Sequence, residues 1–107
     1  MSLDAADLAH AVELFSDLGD ITTRKMMGGA CLYADGTIFA IIHSEFGLML
    51  KAQGAMIDRM TELGQTQWTY VRDGTKRAMP YWSFPESALD DPDEACNLAR
   101  AALSHLE

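Results

Sequence analysis

Two Asp-Gly dipeptides, Asp35-Gly36 and Asp73-Gly74, constrain this chain more than any other feature. Each lies between short runs rich in β-branched, aromatic and apolar residues: residues 31–33 and Thr37–His43 flank the first, residues 66–71 and 76–82 the second. A two-residue type I′ turn needs positive φ at both central positions, which Asp and Gly adopt far more readily than other residues. Such a turn matches the right-handed twist of its flanking strands and pairs them antiparallel. Two hairpins of one design are therefore predicted. Parallel strands need long crossovers, so neither an all-helical nor an all-parallel fold accommodates them.

Helical periodicity accounts for much of the remainder. Leu8, Ala11, Val12, Phe15 and Leu18 recur at helical spacing from Asp4 onward, with Asp7, His10, Glu13 and Asp17 opposite and Gly19 as a stop. Residues 55–63 place Met56, Met60 and Leu63 on one face and end before Gly64. The last helix has the sharpest start: Asp91 is its cap, Pro92 suits its first position and Glu94 has capping-box spacing. Ala95, Leu98, Ala99, Ala102, Leu103 and Leu106 then form its apolar stripe. Residues 21–51 are broken by Gly28-Gly29, by Asp35-Gly36 and by the loop 43–47, and read as three strands in meander order. Thr37–His43 is apolar at odd and even positions alike, the pattern of a central strand covered on both sides. Pro80 has no amide donor and pushes its strand toward an edge or a bulge. The expected order is helix, three strands, helix, two strands, helix. That is an α+β two-layer sandwich, a mostly antiparallel five-stranded sheet with helices packed on one face, formed as a single domain over residues 4–107.

A chain of 107 residues with 49% hydrophobic content can bury one core without disulfide or metal staples. Its longest apolar run, residues 38–42, is far short of the roughly 20 residues of a membrane helix. The acidic N-terminal region is unlike a secretory signal, so a cytoplasmic protein with no membrane partner is expected. Cys31 and Cys96 are distant in sequence and lack CxxC or nearby His spacing, which predicts two reduced thiols and no metal site. Eight Lys plus Arg against sixteen Asp plus Glu give a net charge of -8, so the average field repels phosphate backbones and anionic lipid. The distribution is uneven, however. Arg24, Lys25, Arg72, Lys76 and Arg77 fall in predicted strands while acids crowd the terminal helices, which leaves room for a local basic face.

Reactive motifs are missing from the sequence. Gly28-Gly29 follows a strand, but without Gly-x-Gly-x-x-Gly or Gly-Lys-Ser/Thr spacing, so close backbone packing explains it better than a nucleotide cradle. His10, His43 and His105 show no metal-ligand spacing, the serines no nucleophile elbow, and the acids at 90–94 are explained by helix capping. No catalytic, cofactor-binding or metal-ligating residue is assigned, and no cofactor is expected. Tyr81 and Trp82 beside Lys76 and Arg77, with Trp68 and Tyr70 one strand earlier, have the composition of surfaces that stack bases. Strand alternation sends neighbours to opposite faces, so only half of them share a face with any one cation and the others pack inward. Arg24, Lys25, Lys76, Arg77, Tyr81 and Trp82 form the candidate interaction surface.

The run TTRKMMGGACLYADG at 22–36, followed by FAII at 39–42 and LMLK at 48–51, resembles the signature of the TfoX N-terminal domain family, the N-terminal domain of the TfoX/Sxy bacterial competence regulators. AMPYWSFP at 78–85 is similar to that family's Met-x-Tyr-aromatic segment ending in Pro, and Asp90-Asp91-Pro92 opens the final helix similarly. The resemblance covers roughly residues 15–104, with two departures: Met27 stands where an aromatic is usual and Cys31 where a third small residue is common. It implies a helix-covered antiparallel sheet and a role in regulating DNA uptake or transcription. In those regulators a separate C-terminal helical domain follows, for which 107 residues leave no room. Their association with a cyclic-AMP-responsive activator implies contact with a transcription-related protein, which fits an acidic domain better than autonomous DNA reading does. No catalytic or ligand residue carries over. The expectation is a non-enzymatic regulatory or protein-interaction module. The alternatives are a nucleic-acid-binding domain using Arg24, Lys25, Lys76 and Arg77, or a small-molecule binder with a cleft between helices and sheet. The two edges of an open sheet also admit a homo-oligomer.

Overall fold

The computed structural model describes residues 5–26 and 28–106. Asp4, Met27 and Glu107, which enter the expectations above as a helix start, a family departure and a domain end, lie outside the described residues. The order is α1 (Ala5–Leu14), a 3-10 turn (Ser16–Leu18), β1 (Ile21–Met26), β2 (Gly29–Ala34), β3 (Thr37–His43), β4 (Gly47–Lys51) and α2 (Ala55–Glu62). Then come β5 (Gln67–Arg72), β6 (Thr75–Ser83), α3 (Glu86–Leu89) and α4 (Pro92–Ser104). The strands form one antiparallel sheet in the order β1-β2-β3-β4-β6-β5, and with the helices they make an α+β fold.

Both Asp-Gly turns take the geometry their chemistry demands. Asp35 and Gly36 have φ of 49° and 86°, Asp73 and Gly74 of 53° and 76°. The sheet has six strands where five were expected, because the three breaks in residues 21–51 delimit four segments and all four are strands. His43 pairs with Gly47, so Gly47–Lys51 becomes a separate strand and β6 pairs with its far side. The mixed pattern of β3 also has a local cause. Leu32 pairs with Ala40 but Tyr33 with Ile38, so Phe39 is the extra residue of a bulge. Phe39 and Ala40 consequently both join the core under the helices, while Ile38 and Ile41 belong to a second cluster on the other side. Pro80 sits in a bulge of an interior strand: Met79, Pro80 and Tyr81 of β6 together face the single Trp68 of β5. The Gln67 Nε2 amide donates to the Met79 carbonyl at 3.0 Å within that irregularity.

The main core lies between the sheet and the helix layer. Phe15, fully buried, sets its edge against Phe39 (centroids 5.0 Å apart, planes at 89°) and Phe84 (5.7 Å, 87°), an arrangement that aromatic quadrupoles favour. Phe15 reaches this position because α1 ends at Leu14 and tightens into the 3-10 turn, which Gly19 closes at a φ of 126°. Met56 and Met60 bring α2 onto the same face, and Ala95, Leu98, Ala99 and Ala102 bring α4. The Asp91 carboxylate accepts from the amides of Asp93 and Glu94 at 3.1 and 3.3 Å, capping α4 as its sequence predicts. Asp91→Ala is expected to cost about 1 kcal/mol by stripping those donors. That corresponds to a melting temperature lower by about 4–8 °C, and an unchanged thermal melt would contradict the cap.

Candidate interaction face

Residues directly opposite in an antiparallel pair share a sheet face, and successive residues alternate. The register therefore sorts every strand residue. Ala30, Leu32, Ala34, Phe39, Ile42, Leu50 and Trp82 point under the helices. Ile41, Met49 and Tyr81 point the other way and are buried there, flanked by Met26, Cys31, Ile38, Trp68 and Met79. The residues that anchor α1, α2 and α4 all belong to the first cluster, so the second is an apolar patch on a face that no helix covers. Trp68 lies 6.5 Å from Tyr81 and 5.8 Å from Phe46, and His43 lies 5.0 Å from Phe46, which folds the loop 43–47 over one end of the patch. The Glu45 amide donates to His43 Nδ1 at 3.1 Å, so the proton of the neutral imidazole sits on Nε2.

Electrostatics on this face follow from a simple segregation. Among the described residues no acid lies in a strand, whereas Arg24, Lys25, Lys51, Arg72, Lys76 and Arg77, six of the eight basic residues, all do. Arg24 is opposite Cys31, with its guanidinium 5.9 Å over the Tyr33 ring. Lys51 is opposite Tyr81, and Arg77 is opposite Tyr70. These three cations border the apolar patch, and Arg72 continues their line along β5. Among the described residues the single ion pair is the exposed His10–Asp90 contact at 3.9 Å, so no described carboxylate matches a sheet cation.

Of the six candidate residues, Arg24, Arg77 and Tyr81 share this face. Lys25, opposite Ala30, and Lys76, opposite Val71, turn to the helix side, and Trp82 is packed in the main core with its Nε1 unpartnered. Sequence reasoning missed Lys51, Tyr33 and the Phe46–Trp68 contact. The signal for Lys51 was present: once Gly47–Lys51 is a strand of its own, its alternation puts Met49 and Lys51 on one side and Leu48 and Leu50 on the other.

The reactive groups are quiet. Cys31 Sγ lies 3.6 Å from Met26 Sδ, and Cys96 Sγ donates to the Leu14 carbonyl at 3.4 Å. Burial pushes both thiols above their ordinary range, and burial, then Cys31 and Tyr33, pushes the Tyr81 phenol up likewise. A group whose pKa is raised by folding contributes stability below its unfolded pKa and loses it as pH rises through the folded value. Stability in urea is therefore expected to hold up to about pH 9 and to fall above it; a rise between about pH 9 and 11 would contradict this assignment.

In the helix layer, a cleft of about 620 Å³ opens between Arg59 of α2, Leu63 just past its end, and Asp93, Glu94 and Asn97 of α4. Two of its four carboxylates are engaged, Asp91 as a cap and Glu94 as acceptor from Ser87 Oγ at 3.0 Å. Among the described residues no three His, Cys, Asp or Glu side chains converge as a metal site, and no helix is long and apolar enough to cross a membrane. A comparison with curated proteins finds no match. The family model of the TfoX N-terminal domain matches residues 13–106, from the last two residues of α1 to just past α4. With that match over nearly its whole length, the chain belongs to the TfoX N-terminal domain family.

Proposed function

We propose that this competence-regulator-like domain is a non-enzymatic regulatory module of the cytoplasm that docks an acidic, amphipathic segment of a transcription-related protein on the uncovered face of its sheet. The observation that carries this reading is a helix-free sheet face on which half-buried Met26, Ile38, Trp68 and Met79 lie over buried Ile41, Met49 and Tyr81, with the cations Arg24, Lys51 and Arg77 at its margin. Apolar centres ringed by charge are the usual anatomy of a protein interface, and a chain of net charge -8 that keeps its strands free of acid is suited to an anionic partner there. Capture with the wild-type domain, run beside Arg24→Glu/Lys51→Glu/Arg77→Glu as matched bait, tests it. A transcription-associated protein retained by the wild type and lost by the variant supports docking at this face; equal recovery on both baits contradicts it.

A second reading, single-stranded nucleic acid, has one observation in its favour: exposed Tyr70 lies opposite Arg77, with Arg72 two residues along the same face. Stacking needs open ring faces, however, and Tyr81 is buried while Trp68 is packed between Phe46 and Tyr81. Oligonucleotide binding that weakens linearly in log–log salt and is abolished by the same triple variant would favour this reading over the first.

A further inference from the structure

Beyond Pro80–Ser83, where β4 and the following Ala52 amide bond to it, β6 has β5 as its sole neighbouring strand among the described residues. Residues 69–78 are thus a two-stranded ribbon, and all of them are exposed. β5 is the terminal strand of the sheet, with Val71 71% exposed and Tyr70 37%. An isolated two-stranded ribbon is marginal in water, and an unpaired edge is a template for another strand. The other edge, β1, is protected by adjacent Arg24 and Lys25, whereas β5 has no Pro and a single cation at its end. We infer that β5 pairs antiparallel with β5 of a second copy across a twofold axis at Tyr70, making one continuous sheet of the two domains.

Self-complementarity of the strand points to a second copy as the occupant. With Tyr70 opposite its counterpart, Thr69 faces Val71 of the other copy, and each exposed valine gains a β-branched neighbour. Arg72 comes beside Trp68 of the other copy on the uncovered face, where a guanidinium and an indole attract. The two Arg72 side chains stay roughly 14 Å apart along the strands, beyond the Debye length of about 8 Å at physiological salt. Main-chain groups alternate in direction along an edge, and closure on a two-residue turn leaves those of Thr69 and Val71 pointing outward, the pair this register brings together. A slip of one residue would oppose Tyr70 to Val71 on the wrong faces.

The inference is independent of partner docking, because it uses the edge of the sheet and not its face. Light scattering and sedimentation from about 1 to 200 μM should show a reversible dimer whose affinity holds or rises with salt, whereas docking on the basic face weakens. Thr69→Pro removes an outward amide without touching the hairpin's own pairing and should weaken association at least tenfold, with an unchanged far-UV spectrum. Tyr70→Cys should form a covalent dimer under mild oxidation at least tenfold faster than Val71→Cys, since only residue 70 meets itself across the axis; the unsubstituted domain, with Cys31 and Cys96, is the control. A monomer at every concentration, full association of Thr69→Pro, or equal crosslinking of the two cysteine variants would overturn it.

Discussion

Gly29→Ala should leave the domain about 3 kcal/mol less stable, with a melting temperature lower by about 15 °C. Gly29 pairs with His43 at the start of β2, and a Cβ there would meet the Ile42 carbonyl oxygen, with the Ile42 carbonyl carbon and His43 Cα both at 3.0 Å. These are backbone atoms of the neighbouring strand, so no rotamer change relieves the clash, and β2 and β3 must separate at the centre of the sheet. The effect is steric and not conformational, since Gly29 has no positive φ. Gly36→Ala is the matched control: a Cβ there meets nothing within 4 Å, but the φ of 86° strains it. Its loss should be about 1 kcal/mol. Equal urea midpoints for the two variants would contradict the close approach of β2 and β3.

The second large effect concerns binding. Arg24→Glu/Lys51→Glu/Arg77→Glu should lower affinity for a partner docked on the uncovered face by at least about a hundredfold, because attraction at three positions becomes repulsion. Arg24 and Arg77 are exposed and Lys51 half-buried, all at the margin of the patch, so folding should persist and the melt should shift little. Lys25→Glu/Lys76→Glu, on the helix side of the same strands, carries a comparable charge change and should leave binding within about threefold. A similar loss from both sets would mean that net charge, and not a defined face, controls association.

Much of this architecture was legible in the sequence, and what escaped has physical causes. The Asp-Gly turns, the Asp91 cap and the helical stripes are local devices, each completed within a few residues, and they are visible without tertiary knowledge. The missed strand was already delimited, since the breaks at 28–29, 35–36 and 43–47 divide residues 21–51 into four segments, of which Gly47–Lys51 is the last. Its turn depends on Gly47 at a φ of 72°. The bulge at Phe39 was hidden, since an apolar residue at every position fits any register and only pairing with Leu32 and Tyr33 selects one. The candidate surface divided for the same reason. Alternation already implied that Tyr81 and Trp82 face opposite ways, but the side covered by helices is a long-range outcome that places Trp82 in the core and Tyr81 outside it. Lys51 joined the face through pairing of β4 with β6, 30 residues apart in the Lys51–Tyr81 pair, which no local pattern announces.

The methionines allow the central claim to be tested directly, because the two clusters divide them. Met26, Met49 and Met79 belong to the uncovered face, and Met56 and Met60 to the core under the helices. Methyl NMR of the domain, titrated with the protein that it captures, should shift the Met26, Met49 and Met79 resonances together with Ile38 and Ile41, and leave Met56 and Met60 in place. Shifts confined to Met56, Met60 and Leu98 would put the partner on the helix layer and contradict docking on the sheet.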